Sequence, residues 1–394
     1  MTTHMSGSGV KKRLVGIDLF RGISAYAVAL IHAGSLMLYS GIPTNNVTAA
    51  LVEMSRFAVP FFLALSFYLM TKKLYTSNQQ HSLVSIFKSR SERLLVPYFY
   101  WSIIYFSVRL VKSLSTSENL SKLFQDPVLL IFLGGASIHL YFLPLLFTGS
   151  FLIVFAEFLV KKRISLRMLF VLFLASLFIY ELQIVSGNGF DFFAKFGVNC
   201  LEVTNSCSVA FQQFTQLIFP SGNKNQILRI GLVVIAWLLK CLPYILLAMI
   251  INHPYIRTKI ENLDINKAVI LLIFMAGLSA LNLMNIDKII YFPQSIYELG
   301  TAFCLLLSGI ALSTRFSNNR YIENLGICSF GIYLIHYLVL MIYVSLMGKI
   351  PDELLRISPI SIMLTLTSIT FITSWLITSM SMRIKPISKL LFRV

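Results

Sequence analysis

Residues Leu19–Tyr39 read LFRGISAYAVALIHAGSLMLY, an apolar run interrupted by one arginine and one histidine. As a helix rising 1.5 Å per residue it would be about 30 Å long, the thickness of a bilayer hydrocarbon core. It is too long for the apolar region of a secretory signal, and no small-residue cleavage site follows it. It therefore reads as a transmembrane helix. Runs of the same kind recur near 55–71, 94–113, 139–160, 168–186, 230–251, 268–286, 296–312, 326–347 and 359–382. The composition agrees: 57% of the 394 residues are hydrophobic and 12% charged, which leaves too little charge to cover a soluble core. The expected fold is an all-α integral membrane protein of about ten transmembrane helices, with the N- and C-termini cytoplasmic.

The net charge of +17 sorts by loop. Loops on the side of the N-terminus hold 21 basic residues against four acids; those on the opposite side hold ten against eight. An excess of Lys and Arg marks the cytoplasmic face. The charge is thus mostly topology and points away from a nucleic-acid partner. Residues 1–11 read as a disordered tail, 12–383 as one membrane domain and 384–394 as a cytoplasmic tail.

Two opposite-side loops are long. Leu114–Ile138 contains an apolar stretch, Pro127–Leu133, that could lie at the interface or re-enter. The largest loop runs from the end of the fifth span to Arg229 and is a candidate lid or acceptor-binding element. Cys200 and Cys207 share that loop, and a disulfide and two free thiols are both open readings there.

Charge within a span is costly, so each case is a functional candidate. Asp18, Arg21 and His32 fall on one helix face: Arg21 to His32 is about three turns, and Asp18 to His32 about four. His32 lies about 16 Å beyond Arg21. An interfacial ion pair plus an interhelical polar contact would explain these residues. So would a wet track leading to a mid-membrane imidazole, which proton or group transfer requires. A second cluster, Phe87-Lys88-Ser-Arg90-Ser-Glu-Arg93-Leu-Leu-Val-Pro97, places Arg90 and Arg93 at i,i+3. Guanidinium groups suit phosphate oxygens, although basic anchoring at the cytoplasmic face explains them as well. In the ninth span His336 is about as deep as His32, with Tyr333 one turn below it, and a supporting role is the reading for His336. His139 and Tyr141 open the fourth span on the outer side, where they could meet a substrate or belong to the aromatic belt. Glu298, near the outer end of span eight, could bind an acceptor hydroxyl. Lys240, deep in span six, requires a partner. Gly-rich phosphate loops, zinc-ligand clusters and nucleophile elbows are missing from the sequence.

Four segments together resemble the membrane acyltransferase-3 family: Asp18-Leu-Phe-Arg21-Gly22 followed by His32, Arg90-x-x-Arg93 leading into Leu-Leu-Val-Pro97, His139-Leu-Tyr-Phe-Leu, and Ser329-Phe-Gly-Ile-Tyr-Leu-Ile-His336. The resemblance extends from about Lys12 to Arg383. It implies a bacterial inner-membrane O-acyltransferase of surface polysaccharides and O-antigens, with acetyl-CoA as donor and no metal. The family's essential histidine matches His32, its first-span arginine Arg21, and its donor-associated Arg-x-x-Arg motif Arg90 and Arg93. Lys88 and Asp18 are expected beside them. A glycan or lipid-linked glycan acceptor would approach His139, Tyr141, Tyr333, His336 and Glu298. Some relatives carry an esterase-like domain after the last span, and none is expected here, since the sequence given extends eleven residues beyond Arg383. A transporter or flippase for a glycan or lipid-linked sugar is the competing reading. It predicts substrate movement without acylation.

Overall fold

The computed structural model describes residues 13–76 (except 43), 83–116, 123–185 (except 125), 226–286, 289–347 (except 314, 317 and 318) and 358–393. The N-terminal tail, most of the large loop after the fifth span and the pair Cys200 and Cys207 lie outside the described residues.

Among these residues ten helices are long and apolar enough to cross a membrane: Val15–Tyr39, Asn46–Thr76, Val84–Ser115, Phe142–Lys161, Leu166–Gln183, Ile230–Asn252, Ile265–Ile286, Gln294–Leu312, Arg320–Met347 and Pro359–Ser381. They are the first to tenth spans below, and the chain is a multi-pass membrane protein. The eighth span is 67% buried over its most apolar window and the seventh 17%, so the eighth is central and the seventh faces lipid. The first and ninth are central as well.

Small residues let these central helices approach closely, which in a bilayer takes the place of a hydrophobic driving force. Gly16 of the first span and Gly309 of the eighth face each other at backbone contact. A Cβ on Gly16 would stand 2.2 Å from the Gly309 carbonyl oxygen.

Two spans are longer than their apolar runs and locally irregular. In the second, a helix at Asn46–Met54 is capped by Asn45 and Thr48 in a reciprocal box and passes through a 3₁₀ turn at Ser55–Phe57 into Ala58–Thr76. Pro60 has no N–H for the fourth residue before it, and the irregular turn absorbs that loss. In the third, a π-helical stretch at Ser91–Leu95 separates Leu83–Arg90 from Val96–Ser115, just before Pro97. Arg93 sits in this widened turn, which directly follows the helix that ends at Arg90.

Between the third and fourth spans the chain re-enters the bundle. A short helix, Pro127–Phe132, is followed by turns up to Tyr141. Its non-helical backbone must find partners inside the protein, and side chains of the third span supply them. The Tyr98 hydroxyl donates to the Ile131 carbonyl at 2.8 Å and accepts from the Gly134 N–H at 2.9 Å. Arg109 donates to the Gly135 carbonyl at 2.8 Å. Gly134 has φ +85°, and a Cβ there would stand 2.4 Å from the Tyr141 nitrogen, so only glycine fits. Of the two options for Pro127–Leu133, these contacts to the third span favour re-entry, with the short helix itself at the surface of the bundle.

The C-terminal segment also folds back. After the tenth span, Lys385–Ile387 and a π-helical turn at Ser388–Phe392 return to the third span. Phe392 is buried, and Trp101 Nε1 donates to the Leu391 carbonyl at 3.2 Å. Residues 384–393, within the segment read as a cytoplasmic tail, therefore form a hook packed against the third span.

Candidate active site

The first span, the ninth span and the re-entrant segment bring three histidines together. The ring centroids of His32 and His336 are 5.2 Å apart, those of His139 and His336 4.9 Å, and those of His32 and His139 6.0 Å. His139 was expected at the outer mouth of the fourth span. That helix begins only at Phe142, and His139 is buried beside Tyr105, whose ring centroid is 5.1 Å away. Tyr105 stands ten residues, about 15 Å, below the Ser115 end of its helix. Re-entry therefore removes His139 from the aromatic belt and places it deep in the bundle.

The hydrogen bonds fix one of the rings. Nδ1 of His336 lies 2.7 Å from the Tyr333 carbonyl and 3.2 Å from the Ile332 carbonyl. A carbonyl only accepts, so Nδ1 carries the proton and Nε2 holds a lone pair. That Nε2 is buried and has no hydrogen-bond partner. His139 Nδ1 meets the Ser137 hydroxyl at 3.0 Å, and the Tyr333 hydroxyl donates to the His139 carbonyl. Tyr333 thus clamps the re-entrant turn to the ninth span. Tyr105 reinforces the clamp, donating to the Leu334 carbonyl at 2.7 Å and accepting from the Leu338 N–H at 3.2 Å. His32 is the least enclosed of the three rings: it is half-buried, whereas His139 and His336 are buried. Tyr337 packs edge-on against it at 5.3 Å.

A second group lies at the end of the bundle that holds both described chain ends. Asp18 is buried, and its two oxygens are taken by Arg13 at 2.5 Å and Arg21 at 3.2 Å. Gly326 of the ninth span packs directly over it, since a Cβ there would stand 2.2 Å from Asp18 Oδ1. The hydrogen bond from Arg13 to Asp18 raises the Arg13 pKa above its usual value. Asp18 therefore orients Arg21 and presents no free oxygen of its own. Arg21 and Arg93 are close enough for their charges to act on each other, as are Arg90 and Arg93. The fold thus joins two clusters that are far apart in sequence. Among the described residues no ion pair neutralises Arg90 or Arg93. Lys88, also expected here, is exposed on the same helix.

Tyr141 and Glu298 belong to a third group. Oε2 of Glu298 receives Lys240 at 3.3 Å, the Tyr180 hydroxyl at 2.8 Å and the Tyr244 hydroxyl at 3.3 Å. Tyr141 lies near enough to act electrostatically on Lys240. Lys240 thereby has its partner, and the Glu298 oxygen with three donors is satisfied within the protein. Among the described residues no group of histidines, cysteines and carboxylates has the geometry to hold a metal ion.

Sequence reasoning missed Tyr105, Ser137 and Tyr337 around the histidines. Tyr337 directly follows His336, but nothing in the pattern separates the other two from ordinary packing residues.

A family model described as an acyltransferase domain matches residues 14–379. The chain belongs to the acyltransferase-3 family and is a membrane acyltransferase. Comparison with curated proteins gave no match, and comparison with solved structures gave none either.

Proposed function

We propose that this protein moves an acyl group, acetyl in the simplest case, from acyl-CoA to a hydroxyl of a glycan or lipid-linked glycan on the opposite side of a bacterial inner membrane. The end of the bundle with Arg21, Arg90 and Arg93 would face the cytoplasm, in line with the excess of basic residues in its loops. The observation that carries the proposal is the pairing of two features: three imidazoles meeting inside the bundle, and about 16 Å away along the first span a group of arginines that includes two with no acidic partner. Arginines suit the donor's phosphates. An extended pantetheine arm covers the remaining distance and brings the thioester to His32.

His32 acts as the general base. Its imidazole takes the proton from the acceptor hydroxyl, the oxygen attacks the thioester carbonyl carbon, and the tetrahedral intermediate expels the CoA thiolate. The proton on His32 then passes to that thiolate, which leaves as the free thiol. His336, with its proton held on Nδ1, offers the Nε2 lone pair to an N–H of a neighbouring imidazole. It can thereby orient His32 and spread the charge that develops on it. Family membership favours transfer over transport.

The test is reconstitution with labelled acetyl-CoA on one side of a vesicle and a glycan acceptor on the other. Wild-type protein is expected to label the glycan and His32→Ala to lose labelling while inserting normally. Retained labelling in His32→Ala would remove His32 as the base. Labelled glycan absent with wild-type protein, together with glycan crossing the bilayer, would favour the transporter.

A further inference from the structure

The basic end of the bundle contains a cavity of about 500 Å³, of whose lining the mechanism above uses only Arg93. One wall is Arg93 and Glu92 of the third span; the other is the C-terminal hook, through Lys385, Ser388, Lys389 and Arg393. Four cations and one carboxylate therefore face one space. The family match ends at residue 379, so the hook lies outside it.

Lysines after a last span ordinarily sit in the headgroup layer and need no fixed structure. These residues are held. Phe392 is 2% exposed, with its ring centroid 6.4 Å from that of Trp101 and one edge against Gly331 of the ninth span. Arg393 adopts a left-handed backbone, φ +51°, which a non-glycine residue rarely takes. Its Nε is buried and has no hydrogen-bond partner. Lys385 and Lys389 are four apart and line the same cavity. Packing that gathers like charges and leaves a guanidinium donor unused is unfavourable alone and becomes favourable once an anion enters.

We propose that the hook is half of a polyphosphate site, in which Lys385, Lys389 and Arg393 join Arg93 to hold the phosphates at the nucleotide end of the donor. The inference rests on the acyl-CoA reading above and adds to it a binding element that comes from the C-terminal segment. Phe392 anchors the element, and the three cations supply its charge.

The experiment uses the full chain in nanodiscs of neutral lipid and measures CoA binding by calorimetry for wild type, the double variant Lys385→Gln/Lys389→Gln, and Arg393→Gln. Both lysines are exposed, so the double variant is expected to unfold at the wild-type temperature. Losing these charge contacts should weaken CoA binding about tenfold and flatten its salt dependence. Pantetheine, which lacks the phosphates, should bind both proteins alike. Wild-type CoA affinity in all variants would overturn the hook's role and leave the donor reading standing. No CoA binding to wild type would overturn both. Repeating the titration in anionic nanodiscs separates a second source of phosphate: if the variants lose only co-purifying anionic lipid and keep CoA affinity, the site serves lipid headgroups and the proposal fails.

Discussion

Replacing Glu298 by glutamine should destabilise the protein, and replacing Lys240 as well should restore much of the loss. The Lys240 ammonium lies 3.3 Å from Glu298 Oε2 and 5.4 Å from the centre of the Tyr180 ring, and each charged side chain is only 16% exposed. Glutamine keeps the shape and one oxygen acceptor for the Tyr180 and Tyr244 hydroxyls, so the main change is a buried ammonium without its counter-charge. Breaking a buried pair from one side costs about 3–5 kcal/mol, whereas removing both charges is often close to neutral. The retained acceptor and the tyrosine ring favour the lower end, about 3 kcal/mol, for Glu298→Gln. Lys240→Met/Glu298→Gln should recover most of it. With Cys200 and Cys207 replaced by serine, the cysteines left are Cys241, Cys304 and Cys328, all buried within spans, so a thiol-reactive dye reports unfolding. The midpoint of dye labelling should fall by about 4 °C for Glu298→Gln and return towards wild type in the double variant. Wild-type stability of the single variant, or equal damage in both, would refute the ion-pair argument. Glutamine with normal stability but a raised KM for the acceptor would return Glu298 to the substrate site.

Gly16→Ala would drive a methyl group into the backbone of the eighth span, 2.2 Å from the Gly309 carbonyl oxygen and 2.8 Å from the Ser313 nitrogen. Neither can rotate away, so the same dye assay should show a loss of about 1–3 kcal/mol. Tyr98→Phe removes the partner of both the Ile131 carbonyl and the Gly134 N–H, at about 1–3 kcal/mol for the N–H, which is left buried and unpaired, and less for the part-exposed carbonyl. Because that turn also carries His139, activity should fall with stability, and a stable, fully active Tyr98→Phe would refute the account of the re-entrant segment. His336→Ala should lower kcat by about a hundredfold or more, within the range for assisted proton transfer, with little change in donor KM. A wild-type kcat would reduce His336 to a packing residue.

The limits of the sequence reading are clearest at individual residues. His32 and Arg21 were legible because one helix places both, and helical geometry is local. His139 was read at the head of the fourth span because the apolar stretch before it, Pro127–Leu133, is compatible with an interfacial or a re-entrant path, and only the hydroxyl of Tyr98 and the guanidinium of Arg109 decide between them. Lys240 evidently needed a partner, but any carboxylate at similar depth would have served equally well on paper. The hook was read as a tail because its charges match the positive-inside pattern, and the burial of Phe392 leaves no periodic signal in so short a segment.

By itself the sequence determined that the chain crosses a membrane about ten times and which loops share a side. Insertion depends on the summed transfer energy of about twenty consecutive residues, and that sum is written locally. Which polar groups meet inside the bundle was decided only by tertiary structure. Helix rotation, close approach at Gly16 and Gly309, and a re-entrant turn stitched by third-span side chains bring His32, His139 and His336 together across long stretches of chain. Lipid rewards apolar surface of any arrangement alike, so packing and hydrogen-bond satisfaction had to select the arrangement that forms the site.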